Sequence, residues 1–321
     1  MKTKVIMTID TEPDNQWDLS LRKDPTFRNI AELTKLQRLF DKFYAKPTYL
    51  TSFSVVKSGA VAVLKDIAKS VNCEIGTHLH AWETPPFKRH IKGNGTYLHQ
   101  YAFDAQSQKL ANLDNLISET FGCKPVSYRG GRWSFDKNIL SILSEYKYLV
   151  DSSVSPGISW ENDGGIDFKK WASRDCFLEA KDAQGILEIP PTIEIRAKMP
   201  LTSKFLYLNT PNWTHMEGML RRLVNFNIIW LDPSFNKFKD MKWVCDKLLA
   251  ENVNYLNIMF HSCVIILGGS PYTMSGENVK NFFERLEKLL DYLLRVKKLE
   301  TLTLREFYSY SKDNFTKEQA L

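Results

Sequence analysis

No two of the five cysteines, at positions 73, 123, 176, 245 and 263, stand in a C-x-x-C pair. That excludes the common paired-thiolate zinc and dithiol redox motifs, and an odd set of scattered cysteines fits free thiols in a reducing compartment better than a disulfide framework. The chain has no apolar run of about 18 residues, the length a membrane-spanning helix needs. Its opening, MKTKVIMTID, runs into a strand-like segment without the longer apolar stretch and small-residue cleavage site of a secretory signal. A cytoplasmic location is expected on these grounds. Basic residues outnumber acidic ones by only 43 to 37, and no block is dense enough to follow a nucleic-acid backbone. Arg295, Lys297 and Lys298 read as a solvated helix end. There is no G-x-G-x-x-G after the first apolar run to indicate a dinucleotide fold. There is also no linker and no internal repeat, so residues 1–321 read as a single domain.

What the chain does contain is a 43% hydrophobic content arranged in two alternating periods. Short β-rich runs stand at KVIMTID, PTYLTSF, EIGTHLH, VSYRGG, YLVDSSV, ILEIPPTI, FNIIWLD, YLNIMFHS and TLTLREF. Helical patterns lie between many of them, at residues 30–43, 60–68, 110–121, 139–143, 219–226 and 244–249, and in NVKNFFERLEKLLDYLLRVKKL. In the last of these, Phe282, Leu286, Leu289, Leu290, Leu293 and Leu294 recur at spacings of three and four. Strand alternating with helix predicts a parallel sheet with crossover helices, and about eight such units favour a (β/α) barrel over an open doubly wound sheet. Two long irregular segments, 81–105 and 155–185, carry Trp82, Phe87, Tyr97, Trp160 and Trp171 and read as walls of a site.

In (β/α) barrels the chemistry gathers at the carboxyl ends of the strands. The polar residues that close the runs here are Asp10 and Glu12, His78 and His80, Arg129 and Arg132, Asp151, and His261. The carboxylate pair and the imidazole pair share an i, i+2 spacing, which on an extended chain points both members to one face. Two imidazoles and one carboxylate form a common shell for Zn²⁺ or a related divalent ion, leaving room for water or substrate. A second carboxylate could then act as base in amide or ester hydrolysis. The competing reading is two ordinary histidines, one satisfied in the core and one at the surface.

TIDTEPD, EIGTHLHAW, YRGGRWSFD, DSSVSPG, HSCVIILGGSPY and TLTLRE occur in the order and approximate spacing of the motifs of polysaccharide deacetylases, the NodB-homology or carbohydrate esterase family four proteins. The chain resembles that family over nearly its whole length, and most closely its WalW-like branch. The resemblance implies a distorted (β/α)7 barrel and metal-dependent removal of acetyl groups from N- or O-acetylated sugars. By position, Asp10 resembles the family's general base. Thr11 stands where many members have an aspartate ligand, and the family's D-x-E variant makes Glu12 the oxygen ligand. His78 matches the first ligand histidine. Trp82 stands where the second is usual, and His80 is its geometric substitute on the same strand face.

Arg129 matches the arginine that holds the catalytic aspartate, and it serves equally as a structural ion pair. His261 matches the general acid that protonates the departing amine, a need that favours an N-acetyl substrate over an O-acetyl one. The implied cofactor is one divalent metal ion, expected to be zinc. Trp82, Trp133 and Trp160 are candidate sugar platforms, with core packing as the alternative for each. Gly268 to Tyr272 reads as a turn setting a pocket wall, or as a surface turn. The expected partner is an acetylated sugar or a nucleotide- or lipid-linked glycan precursor. Two other readings stay open: a C–N hydrolase of altered metal dependence or substrate, and a catalytically degenerate sugar-binding protein.

Overall fold

A computed structural model describes residues 2–70, 73–88, 90–178, 185–197, 205, 207–209 and 227–318. Its strands are β1 (Lys4–Thr11), β2 (Pro47–Thr51), β3 (Glu74–Leu79), β4 (Ser127–Gly130), β5 (Val150–Asp151), β6 (Cys176–Leu178), β7 (Ile186–Glu188), β8 (Ile193–Arg196), β9 (Asn227–Trp230), β10 (Tyr255–His261) and β11 (Glu300–Thr301). Seven of them run parallel in the order β10-β1-β2-β3-β4-β5-β7. The expected distorted barrel is thus a curled sheet with one open side, between β7 and β10. Main-chain bonds bridge that side: Thr192 N donates to Asn257 O (3.1 Å), Leu231 N to Thr192 O (2.8 Å) and Met259 N to Leu231 O (3.2 Å). Strand β6 adds antiparallel to the β7 edge, and β8 and β9 form a separate antiparallel pair.

Alternation along the strands divides the interior from the shell. Val5, Met7 and Ile9 of β1 join Leu256, Ile258 and Phe260 of β10 in the large core under the helices. Ile6 belongs to a second core with Leu50, Val150, Leu187, Ile189 and Tyr255, which Leu304, Phe307 and Tyr308 of the last helix, Leu304–Glu318, complete. Next along β1 and β10 comes a polar tier, in which Thr8 Oγ1 donates to Asn257 Oδ1 (3.0 Å). Asp10 and His261 lie beyond it, at the carboxyl ends.

The helical expectations at 30–43, 60–68, 139–143 and 244–249 correspond to Arg28–Ala31 with Leu33–Lys42, Val61–Ser70, Lys137–Glu145 and Phe238–Ala250. The predicted helix at 110–121 begins earlier, at Phe103. Its added turns bury Lys109, whose Nζ donates to Ala81 O (2.8 Å) and Thr84 O (2.6 Å) and so fastens the segment that follows β3. The C-terminal pattern forms Gly276–Leu290 and a wider turn over Asp291–Val296. Of TLTLREF only the first residue, Thr301, is in a strand, the end of Glu300–Thr301. Thr303 and Glu306 then form a reciprocal cap, Glu306 N to Thr303 Oγ1 (3.2 Å) and Thr303 N to Glu306 Oε2 (2.9 Å), which starts a helix instead. The expected helix at 219–226 lies outside the described residues. Among the described residues no helix is long and apolar enough to cross a membrane.

Candidate active site

Strand register brings the strand-end residues together: Asp10 pairs with His261 across β1 and β10, and His78 with Arg129 across β3 and β4. Asp10, Glu12, His78, His80 and Arg129 are all buried, and the His261 side chain is 24% exposed, which leaves one edge of the cluster open to solvent.

Arg129 is the structural hub. Its Nη1 donates to Asp10 Oδ1 (2.6 Å), Nη2 to Thr8 Oγ1 (2.8 Å) and Ser152 Oγ (2.7 Å), and Nε to Ser152 O (2.9 Å). A buried guanidinium needs this degree of satisfaction, and the charge-assisted bond fixes the carboxylate. Burial alone would raise the Asp10 pKa, but the charges of Arg129, His78 and His261 outweigh it and hold the group below its ordinary value. Asp10 is therefore ionised at neutral pH, ready to accept a proton but reduced in basicity.

Glu12 joins three imidazoles. Oε2 lies 2.7 Å from His80 Nε2 and 3.6 Å from His78 Nε2, and Oε1 accepts from His261 Nδ1 at 2.8 Å. Burial works against its charge, yet the charge of His261 and the three rings together keep the carboxylate well below its usual range.

His78 is the most informative side chain. Its Nδ1 is 3.1 Å from Arg129 O, and a carbonyl only accepts, so Nδ1 carries the proton. Nε2 is buried without a hydrogen-bond partner and faces Glu12 Oε2 at 3.6 Å and Asp10 Oδ2 at 3.9 Å. In the neutral ring a lone pair thus confronts two carboxylates, an arrangement that a cation relieves. Burial lowers the His78 pKa, but Asp10 and Glu12 reverse the shift and raise it. His80 differs: burial and then His78 lower its pKa, which keeps the ring neutral as a ligand must be.

The donor set fits a divalent ion. One ligand atom from each of Glu12, His78 and His80 lies within 4.8 Å of the others. Zinc with tetrahedral bonds near 2.0–2.1 Å separates its ligand atoms by about 3.3 Å. The 3.6 Å gap from Glu12 to His78 is near that value, and the 2.7 Å gap to His80 has to open by about half an ångström. The Nδ1–H to carbonyl bond of His78 is the usual support of a ligand histidine.

Neighbouring segments hold the rings. A Cβ on Gly131 would lie 2.2 Å from His80 Nδ1, so this position must be glycine for the ring to sit where it does. Trp82 stacks on His80 with centroids 4.2 Å apart and carries the Arg22 guanidinium 4.3 Å from its own ring. The indole therefore supports His80, and Arg22 already occupies ring surface that a sugar would need. Trp133 lies beside the hub, its ring 5.4 Å from the Arg129 guanidinium and 5.4 Å from Trp230. Trp160 has its Nε1 donating to Ser155 Oγ (2.8 Å), and its Cβ and the Tyr97 ring both lie close against Gly165.

Sequence reasoning missed the loop after β1. Buried Asp14 accepts from Thr26 Oγ1 (2.7 Å), Arg28 N (3.1 Å) and Asn29 N (3.0 Å), which folds residues 14–28 back beside the site. Trp17 on this loop meets His261 edge-on at 4.9 Å and Tyr272 at 5.9 Å, and Phe235 lies 5.1 Å from Tyr272. The three aromatic rings are 39 to 41% exposed and form a wall beside His261. The turn reading of Gly268 to Tyr272 as a pocket wall corresponds to this edge. Ser262, also missed, receives a hydrogen bond from Glu12 N (3.2 Å). The signal available for both was position, directly after strands that end in site residues.

No protein-family model and no curated protein sequence matches the chain. Solved structures do. A Parabacteroides distasonis protein, provisionally named a glycoside hydrolase/deacetylase, superposes with a TM-score of 0.62 at 12% identity, over 97% of this chain and 72% of that one. The 4-alpha-glucanotransferase of Thermococcus litoralis gives 0.53 at 13% identity over 96% of this chain and 40% of its own. A Mycobacterium smegmatis protein provisionally named a polysaccharide deacetylase gives 0.48 at 15% identity, over 94% of each chain. At these identities the first two likenesses are of fold: the curled sheet with its surrounding helices is an architecture shared with a protein named for deacetylation and with an enzyme of α-glucan transfer.

Proposed function

We propose that this single domain is a metal-dependent hydrolase that removes acetyl groups from an N-acetylated sugar or glycan precursor. The observation that carries the reading is His78 Nε2, a buried ring nitrogen without a hydrogen-bond partner that faces two carboxylates inside a Glu-His-His cluster.

Glu12, His78 and His80 would hold the divalent ion, with zinc the best match to two imidazoles and one carboxylate. When bound, such an ion supplies a water acidic enough to attack at neutral pH and a positive charge for the acetyl carbonyl. The chain supplies the proton transfers. Asp10, kept ionised and oriented by Arg129, accepts a proton at Oδ2, the oxygen that Arg129 leaves free. His261 is oriented through Nδ1 by Glu12 Oε1, which leaves Nε2 to donate to the departing amine. Burial disfavours the charged ring, but the charge and hydrogen bond of Glu12, helped by Asp10, push its pKa up to about 9, so it holds that proton at neutral pH. Trp133 and the open aromatic edge of Trp17 and Tyr272 offer apolar ring surface to the face of a sugar. Trp82 serves here as the support of His80.

The test combines acetate release from N-acetylated oligosaccharides with metal analysis. Asp10→Asn should keep the ion and lose turnover by about 10²–10⁴-fold, the range for a positioned acid or base. Undiminished turnover in Asp10→Asn would remove Asp10 as the base. Turnover by protein stripped of metal would favour a C–N hydrolase of altered metal dependence. A bound ion without acetate release from any acetylated sugar would favour a sugar-binding role.

A further inference from the structure

Two arginines on the segments that pack around His80 and Trp82 have no part in the reaction above. Gly131 abuts His80 Nδ1, so the next residue, Arg132, leaves the end of β4 beside the same ring. Arg132 (φ 55°) and Trp133 (φ 60°) both adopt the left-handed backbone that residues other than glycine rarely take, a conformation that persists where its surroundings impose it. The Arg132 guanidinium lies 4.5 Å from the Tyr97 ring centre, and Nη1 donates to Thr96 Oγ1 at 2.8 Å. Its carboxylate neighbour, Asp163, is 3.8 Å away and 61% exposed, an ion pair that contributes little in water.

Arg22 comes from the loop after β1 and stands over Trp82, the ring that packs against His80. Its Nε donates to Gln16 O (2.7 Å) and its guanidinium lies 4.3 Å from the centre of the Trp82 ring. Among the described residues no carboxylate pairs with it and neither Nη group donates a hydrogen bond. Burial and then the Arg132 charge depress its pKa against the opposing charge of Glu12, so the two guanidinium groups lie within electrostatic reach of each other. Planar guanidinium groups held on aromatic rings with free N–H groups are suited to binding carboxylate or phosphate oxygens in pairs.

We propose that Arg22 and Arg132 form an oxyanion-binding subsite at the mouth of the site, so that the acetylated sugar this chain takes carries a phosphate or carboxylate group. The substrate class rests on the deacetylase reading; the anion subsite does not. Titration calorimetry on the metal-loaded full chain tests it with N-acetylglucosamine 1-phosphate, its 6-carboxylate analogue and neutral N-acetylglucosamine. The wild type should bind at least one anionic sugar ten or more times as tightly as the neutral one, and the preferred anion identifies its source. Arg22→Gln and Arg132→Gln should each erase that preference while leaving neutral-sugar affinity and melting temperature near wild type. Arg22→Lys, which keeps the charge but not the planar fork of N–H groups, should fall between. Equal affinity for neutral and anionic sugars, or a preference that survives either glutamine substitution, overturns the proposal. Anion-selective binding without acetate release would refute the deacetylase reading and leave the subsite standing; turnover indifferent to the anion would do the reverse.

Discussion

Glu188→Gln is expected to stabilise the fold at pH 8 and to change it little at pH 4. Asp151 and Glu188 are fully buried and face each other in register across β5 and β7, and Asp151 Oδ2 and Glu188 Oε2 lack partners. Burial raises Asp151 to about 6, and burial together with the Asp151 charge raises Glu188 well above its ordinary value. Both groups therefore keep protons in the folded chain that they lose when it unfolds. Their stabilising contribution is complete below the unfolded pKa values, near 4, and is lost as pH rises through about 6 and beyond. The amide copies the protonated form, so the melting-temperature gain of Glu188→Gln should grow from near zero at pH 4 to a few degrees at pH 8; a gain independent of pH would contradict this. Of the single residues, Asp10, Glu12, His78, Arg129 and His261 were visible in the sequence because each closes an apolar run, and the period of two along a strand decides which side chains share a face. Asp14, Trp17 and Arg22 were not visible. Their places depend on a loop whose path is set by hydrogen bonds to Asp14, and no periodicity encodes that path.

At the scale of elements, TLTLREF shows how a short β-rich run can mislead. Alternating Thr and Leu fit a strand, but T-L-R-E from Thr303 to Glu306 is also a capping-box pattern, and the cap fixes the start of the helix that floors the barrel. Thr303→Ala should cost about 1 kcal/mol, read as a melting temperature lower by about 2 °C. The turn after β4 carries a sharper expectation. A Cβ at position 131 would collide with His80 at 2.2 Å, and the ring cannot yield toward Trp82 without losing its stack. Gly131→Ala should therefore lower metal affinity by about 10–100-fold, as loss of ligand support does elsewhere, with the melting temperature of the metal-free protein much less affected. Unchanged affinity would mean that His80 is not a ligand. The two irregular segments were legible as long interruptions, but not the Lys109 anchor behind the first, since buried lysines contradict the pattern that periodicity relies on.

At the scale of the molecule, alternation of strand and helix was enough to indicate a parallel barrel-like sheet, because each buried strand needs a crossover helix to cover it. The seven parallel strands follow that logic. The seam does not: β7 and β10 are joined through Thr192 and Leu231, which flank the β8 and β9 pair, and isolated bridging residues leave no period in the sequence. The same curl directs the ends of β1, β3, β4 and β10 to one point, which is why residues separated by as many as 251 positions, Asp10 and His261, become neighbours. Everything proposed about catalysis depends on that point holding one cation. Metal analysis of the purified chain, set beside His78→Ala prepared in the same way, is the most direct test: about one divalent ion per wild-type chain and none in the variant is the expected result, whereas a metal content equal in the two proteins, or no ion taken up by either when zinc is supplied, would contradict the account.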